Sequence, residues 1–275
     1  MKRILTAVIV LPFLIASILF ASLWWVFVVL AVAAMVIGLW EFYLLAKKLQ
    51  LKPDPGAGYL AGAAILTISL QNDPAVNVLL VQFVIIVLTA GTLIAATLRG
   101  APFDKMIAST GATILGVLYI PLLGSHLVSL RTGFNQPLSA HLLSFFFLVL
   151  MGADTGAYYV GRAFGKHKLA PAISPGKTWE GAVGGIVAAL AMATLAHFWF
   201  FRELPLKWTL PLAFAMCVVG ILGDLVESAL KRSASAKDAA NILPGHGGLL
   251  DRLDSLLFNA PLIYYFAVFY FNISG

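Results

Sequence analysis

The 275-residue chain is 61% hydrophobic and only 11% charged, and its formal net charge is +6. A soluble globular domain carries about 25% charged residues, so this composition excludes a water-soluble fold of the same size. The excess positive charge is expected in loops that lie against anionic lipid headgroups. We therefore predict a membrane protein whose partners include membrane lipids and no nucleic acid.

Apolar segments long enough to cross a bilayer as helices recur along the whole chain, since about 20 residues cover a hydrocarbon core of roughly 30 Å. They predict an all-α, polytopic integral membrane protein with about nine transmembrane helices. The predicted spans are 4–21, 24–45, 57–71, 77–97, 106–129, 137–161, 181–200, 209–230 and 253–272, of which the third is the shortest. No convincing cleavage site follows the first span, so we interpret it as a retained helix. The single Cys217 lies inside the eighth span, which excludes a disulfide framework.

The distribution of lysine and arginine predicts the orientation of these helices. With the N-terminus in the cytoplasm, only Arg131, Arg202 and Lys207 of the 18 basic residues fall outside, as the positive-inside rule requires. The C-terminus is then outside. We predict one membrane domain, in which residues 1–135 are mainly scaffold helices and residues 136–275 carry the catalytic helices and cytoplasmic loops.

Polar residues concentrate in this second half. Asp154 lies inside the sixth span, where an unpaired carboxylate costs about 2.5 to 3.5 kcal/mol, while Gly152 and Gly156 beside it permit close helix packing. The following loop is rich in glycine and cations and resembles an anion site in composition. In the eighth span one helix face carries a further set of polar residues, Asp224, Glu227, Ser228 and Lys231.

A third polar segment joins the eighth span to the ninth. Its glycines can turn several backbone amides toward one point, and Asp251 and Asp254 project from one face of the last helix. Carboxylates together with phosphate-binding cations on one side of the membrane indicate Mg²⁺ and a polyphosphate. Two alternatives stay open: Asp154 as part of a buried structural pair, and the acids of the last helix as helix caps.

The 228–254 stretch, SALKRSASAKDAANILPGHGGLLDRLD, closely resembles the signature of phosphatidate cytidylyltransferases, the CDP-diacylglycerol synthases. Asp154 and the 174–181 segment, SPGKTWEG, extend the resemblance over the C-terminal half. The resemblance implies that CTP and phosphatidic acid react to give CDP-diacylglycerol and pyrophosphate with a divalent metal. It also implies a homodimer. We expect a location in a bacterial inner membrane, and the distribution of basic residues predicts an active site that faces the cytoplasm.

The resemblance also implies roles for individual residues. Asp224, Asp251 and Asp254 are predicted to hold Mg²⁺, with room for a second cation such as K⁺, and Lys231 is predicted to be catalytic with them. Predicted substrate-binding residues are Asp154, Lys177, Ser228, Arg232, Lys237, Asp238, His246, Gly247, Gly248 and Arg252. Two other functions stay open, a CTP-dependent lipid or polyprenol kinase and, in a different class, a cation transporter lined by intramembrane acids.

Overall fold

The computed structural model describes residues 2–71, 74–100, 103–236 and 248–272. Over these residues the chain is almost entirely helical. The helices are α1 Lys2–Leu19, α2 Trp24–Lys48, α3 Pro55–Ile68, α4 Pro74–Leu98, α5 Met106–Thr132, α6 Leu138–Phe164, α7 Trp179–Trp199, α8 Leu206–Ser233 and α9 Leu250–Ala267. Two short strands, β1 Lys168–Ala170 and β2 Ser174–Thr178, form an antiparallel hairpin.

Seven helical segments in the described part of the chain are both long and apolar enough to cross a membrane. They are Ala21–Lys48, Val76–Leu98, Met106–Thr132, Leu138–Phe164, Trp179–Trp199, Leu206–Ser233 and Leu250–Phe271. The all-helical, polytopic membrane fold predicted from sequence is therefore confirmed, and the exact number of spans stays a prediction. The predicted third span corresponds to α3, whose 14 residues extend over only about 21 Å.

The chain divides into two compact units, Met1–Phe134 with Ser233–Leu253, and Asn135–Arg232 with Asp254–Gly275. The division after Phe134 falls beside the boundary predicted between the scaffold and catalytic halves. The segment Ser233–Leu253, which the prediction placed in the catalytic half, belongs to the first unit. The roles assigned to the two halves stay predictions.

Buried polar contacts organise the first unit. Arg131 near the end of α5 donates from Nε to the Ser17 carbonyl (3.0 Å) and from Nη2 to the Phe20 carbonyl (3.1 Å). Because the last carbonyls of a helix lack intrahelical partners, this buried guanidinium caps α1. At the beginning of α3, Asp54 caps the helix with an acceptor instead, because its side chain accepts a hydrogen bond from the Ala57 amide (3.1 Å).

In the second unit, α6 and α7 pack backbone against backbone through glycines. A Cβ on Gly156 would lie 2.8 Å from the Gly184 carbonyl oxygen, and a Cβ on Gly184 would overlap Val160. A Cβ on Gly152 would overlap Met192 in the same way. The close approach predicted for Gly152 and Gly156 is thus confirmed, and it packs the span that carries Asp154 directly against α7.

Candidate metal and phosphate site

Carboxylates from two helices of the second unit converge on one point. One oxygen each from Asp224, Glu227 and Asp254 lies within 4.8 Å of the other two. Asp224 and Glu227 are three residues apart on α8 and therefore share a helix face. Gly223 lets α9 approach this face, because a Cβ there would lie only 2.9 Å from the Asp254 carbonyl oxygen. Sequence and packing together thus produce a cluster of hard oxygen ligands.

Two lysines contact the cluster. The Lys177 Nζ lies 2.6 Å from Oδ2 of Asp224, and the Lys231 Nζ lies 2.6 Å from Oε2 of Glu227. The second pair is one helical turn apart on α8. The Ser228 hydroxyl also lies within 3.4 Å of Asp224 Oδ1, a long contact. Lys177, Ser228 and Lys231 therefore each lie beside a carboxylate of the cluster, and their roles stay predictions.

Lys177 reaches the cluster because the glycine-rich loop after α6 folds into the β1–β2 hairpin. Glu180 at the start of α7 accepts the amides of Lys166 (3.1 Å) and His167 (3.2 Å), and His167 Nδ1 lies 2.6 Å from its Oε1. The Thr178 hydroxyl caps α7 by accepting the Gly181 amide (3.1 Å). These bonds anchor the base of the hairpin and position β2, which carries Lys177.

The turn of the hairpin is held from α8. Arg232 donates from Nε to the Ile173 carbonyl at 3.3 Å. A predicted phosphate ligand thus already supports the segment that presents Lys177. Whether Arg232 also binds phosphate stays a prediction.

Asp154 lies on α6, ten residues before the helix ends at Phe164. It is therefore about 15 Å from that end, measured along the helix axis. Its side chain is not covered by other side chains of the protein, and it interacts electrostatically with Asp224 and Lys177. Among the described residues no cation lies within ion-pair distance of it, which argues against the buried structural pair. Among the described residues, Asp154 brings the carboxylates in and beside the cluster to four, against two lysines, so acidic groups are in formal excess there.

The beginning of α9 lies in the first unit. Asp251 accepts the Gly248 amide at 2.8 Å, so the amide predicted to bind phosphate is engaged by a carboxylate of the same segment. This bond fits the capping alternative for Asp251, and its role as a metal ligand stays a prediction. Arg252 is exposed at this end of the helix. The predicted Lys237, Asp238, His246 and Gly247 lie outside the described residues.

Two acidic residues with polar contacts, one in each unit, were not predicted as site residues. Glu227 shares the polar face of α8 with Asp224, and its three-residue offset was a usable signal. Glu41 lies in α2 and is completely buried. Its only sequence signal is a carboxylate within an apolar span.

The fold and the cluster define a polytopic membrane protein in which carboxylates and lysines gather at one site. A family model described as the cytidylyltransferase family matches residues 1–270. Phosphatidate cytidylyltransferase of Pseudomonas aeruginosa is 34% identical over 267 residues, covering 95% of this chain and 94% of that protein. The chain belongs to the cytidylyltransferase family.

Two other relatives align over shorter regions with higher identity. Phosphatidate cytidylyltransferase of Bacillus subtilis is 43% identical over 166 residues, which is 59% of this chain and 58% of that protein. The protein of the same name from Haemophilus influenzae is 45% identical over 132 residues, or 46% of each chain. The chain thus spans about half of the length of these two relatives in alignment.

Proposed function

We propose that this protein is a phosphatidate cytidylyltransferase, an enzyme that joins CTP and phosphatidic acid to give CDP-diacylglycerol and pyrophosphate. Family membership and the names of the relatives support this function. The structural observation that carries it is the convergence of Asp224, Glu227 and Asp254 within 4.8 Å, next to two lysines. This arrangement suits a reaction between highly charged phosphates.

The donor set fits Mg²⁺. Mg²⁺ prefers oxygen ligands and is commonly bound through one or two carboxylates plus substrate phosphates. Asp224 and Asp254 would hold the ion, with Glu227 beside them and Asp251 retained as a predicted ligand. A bound Mg²⁺ supplies charge neutralisation on the phosphates and polarisation of the phosphoryl oxygens. The excess negative charge also leaves room for a second cation such as K⁺.

The protein residues have tasks that follow from the charges of the substrates. A phosphate oxygen of phosphatidic acid forms a bond to the α-phosphorus of CTP, and the bond to the β-phosphate oxygen breaks, so pyrophosphate leaves with the electron pair. A phosphomonoester has a second pKa of about 6, so the nucleophile is largely ionised at neutral pH and needs no general base. Lys177 and Lys231 donate to phosphate oxygens as negative charge accumulates. Arg232 and Arg252 are retained as predicted phosphate-binding cations.

The proposed location of the site follows from its two substrates. CTP arrives from water and phosphatidic acid from the leaflet, so the site is placed at the membrane interface. The positive-inside rule favours a cytoplasmic N-terminus and a cytoplasmic active site, and bacterial relatives favour the bacterial inner membrane. The proposal also includes a homodimer, which is supported only by the family resemblance.

One incubation tests the proposed activity. Purified protein in detergent is mixed with CTP, phosphatidic acid and Mg²⁺, and the products are identified by mass spectrometry. We expect CDP-diacylglycerol and pyrophosphate in equal amounts, and none when Mg²⁺ is chelated. CDP with a newly phosphorylated lipid would instead identify a kinase. Mg²⁺ flux into protein-containing liposomes without either substrate, together with no CDP-lipid, would identify a transporter.

A further inference from the structure

Glu41 is a buried carboxylate with an unusual pair of partners. It lies within α2 and has 0% exposure, although a charge inside an apolar helix is costly unless its oxygens are hydrogen-bonded. Both oxygens are bonded, because the Leu249 amide donates to Oε1 (2.8 Å) and the Leu250 amide donates to Oε2 (2.6 Å). The residue therefore clamps a segment that is more than 200 positions away in sequence.

The clamped amides are those at the beginning of α9. The first amides of a helix lack intrahelical partners, and the helix dipole favours negative charge there. Glu41 supplies both the acceptors and the charge from another helix, while Asp251 takes the neighbouring Gly248 amide at 2.8 Å. One turn earlier on α2, a Cβ at Gly38 would lie in ordinary contact with Leu253, 3.5 Å from its Cδ1. The first turn of α9 is thus held in position and in rotation against α2.

We propose that Glu41 is a positioning residue that sets where α9 begins and how it is rotated, and thereby where the carboxylates of Asp251 and Asp254 point. Asp254 lies four residues, about one turn, after Leu250 on the same helix. Successive residues of an α-helix are rotated by about 100° around its axis. If the residue held by Glu41 were one position earlier or later, the side chains of Asp251 and Asp254 would therefore point in other directions. Glu41 does not touch substrate in this role. The inference rests on the proposed function, since it concerns the metal-binding carboxylates of that site.

The test measures Mn²⁺ binding by electron paramagnetic resonance on the purified full-length protein, which does not depend on turnover. Glu41→Gln keeps one carbonyl acceptor but removes the charge and turns an NH₂ group toward a backbone N–H. We expect it to weaken Mn²⁺ binding about tenfold, the lower end of the effect of outer-shell partners on metal sites. Asp54→Ala is the matched control, because Asp54 is also an acid that caps a helix of the first unit. It should lower the melting temperature and leave Mn²⁺ affinity within about twofold of wild type.

Each outcome bears on the proposal. Wild-type Mn²⁺ affinity in Glu41→Gln, or equal weakening in Asp54→Ala, would make Glu41 a general structural residue. If Glu41→Gln does not fold, Glu41→Asp provides the same measurement, because it keeps the charge and both acceptor oxygens but withdraws them by one methylene from the Leu249 and Leu250 amides. Failure of both to fold while Asp54→Ala folds would overturn the positioning role. A wild-type protein that binds no Mn²⁺ and makes no CDP-lipid would instead remove the proposed function, and the role of Glu41 with it.

Discussion

The contact between Gly223 and α9 offers a direct test of the site geometry through the substitution Gly223→Ala. The new Cβ would lie 2.9 Å from the Asp254 carbonyl oxygen and 2.9 Å from Cδ2 of Phe258. Restoring an ordinary contact of about 3.5 Å requires α9 to move by roughly half an ångström at Asp254. Since a 1 Å misplacement can cost about 100-fold in rate, a shift of half that size predicts a loss of about tenfold. Overpacking of this kind also costs about 1 to 3 kcal/mol of stability.

Gly220→Ala is the matched control for this substitution. Its Cβ would lie 3.3 Å from Nδ2 of Asn259 and 3.6 Å from its other near neighbours, so a small side-chain adjustment accommodates it. The assay is the initial rate of pyrophosphate release from CTP and phosphatidic acid over a Mg²⁺ titration, with melting temperatures measured on the same samples. Equal rates in Gly223→Ala and Gly220→Ala, both near wild type, would refute the close packing of α8 on α9 at the site.

Three further substitutions test separate parts of the account. Asp254→Asn should reduce Mg²⁺-dependent CDP-lipid formation by at least about 100-fold in a protein that still folds, and a smaller loss would exclude a direct role. Lys177→Met removes a cation from the cluster, so it should tighten Mn²⁺ binding without nucleotide while slowing turnover; weaker Mn²⁺ binding would contradict this. The hydrogen bond from the Ala57 amide lowers the pKa of Asp54, and Arg99 lowers it further. The ionised Asp54 therefore contributes its full stabilisation above the unfolded pKa of about 3.9. This stabilisation is lost only as the pH falls through the lower folded pKa. The melting-temperature difference between wild type and Asp54→Asn should therefore stay constant from about pH 5 to 8, and a decrease across this range would contradict that assignment.

The transmembrane helices were largely predictable because hydropathy reports directly on burial in lipid. The sixth span was predicted as 137–161 and the eighth as 209–230, whereas the helices cover Leu138–Phe164 and Leu206–Ser233. The helices extend beyond the apolar windows because a helix continues through charged residues such as Lys231 once it leaves the apolar region. Helix ends are therefore less predictable than helix existence.

The acidic cluster was partly predictable for a similar reason. Helical spacing placed Asp224, Glu227 and Lys231 on one face of α8, and the structure adds that Glu227 converges with Asp224 and Asp254. The β1–β2 hairpin was not predicted, because strands of three and five residues are too short to show a clear alternation. The Glu41 clamp was also beyond prediction, since it depends on a tertiary contact between distant segments rather than on local pattern.

Locating a bound metal ion tests the central claim most directly. Crystals of the protein grown with Mn²⁺ and CTP would be measured for anomalous scattering at the manganese edge. We expect a peak within coordination distance, roughly 2.1 Å, of carboxylate oxygens from both Asp224 and Asp254. A nucleotide-bound structure whose anomalous peak lies away from these two residues would contradict the account.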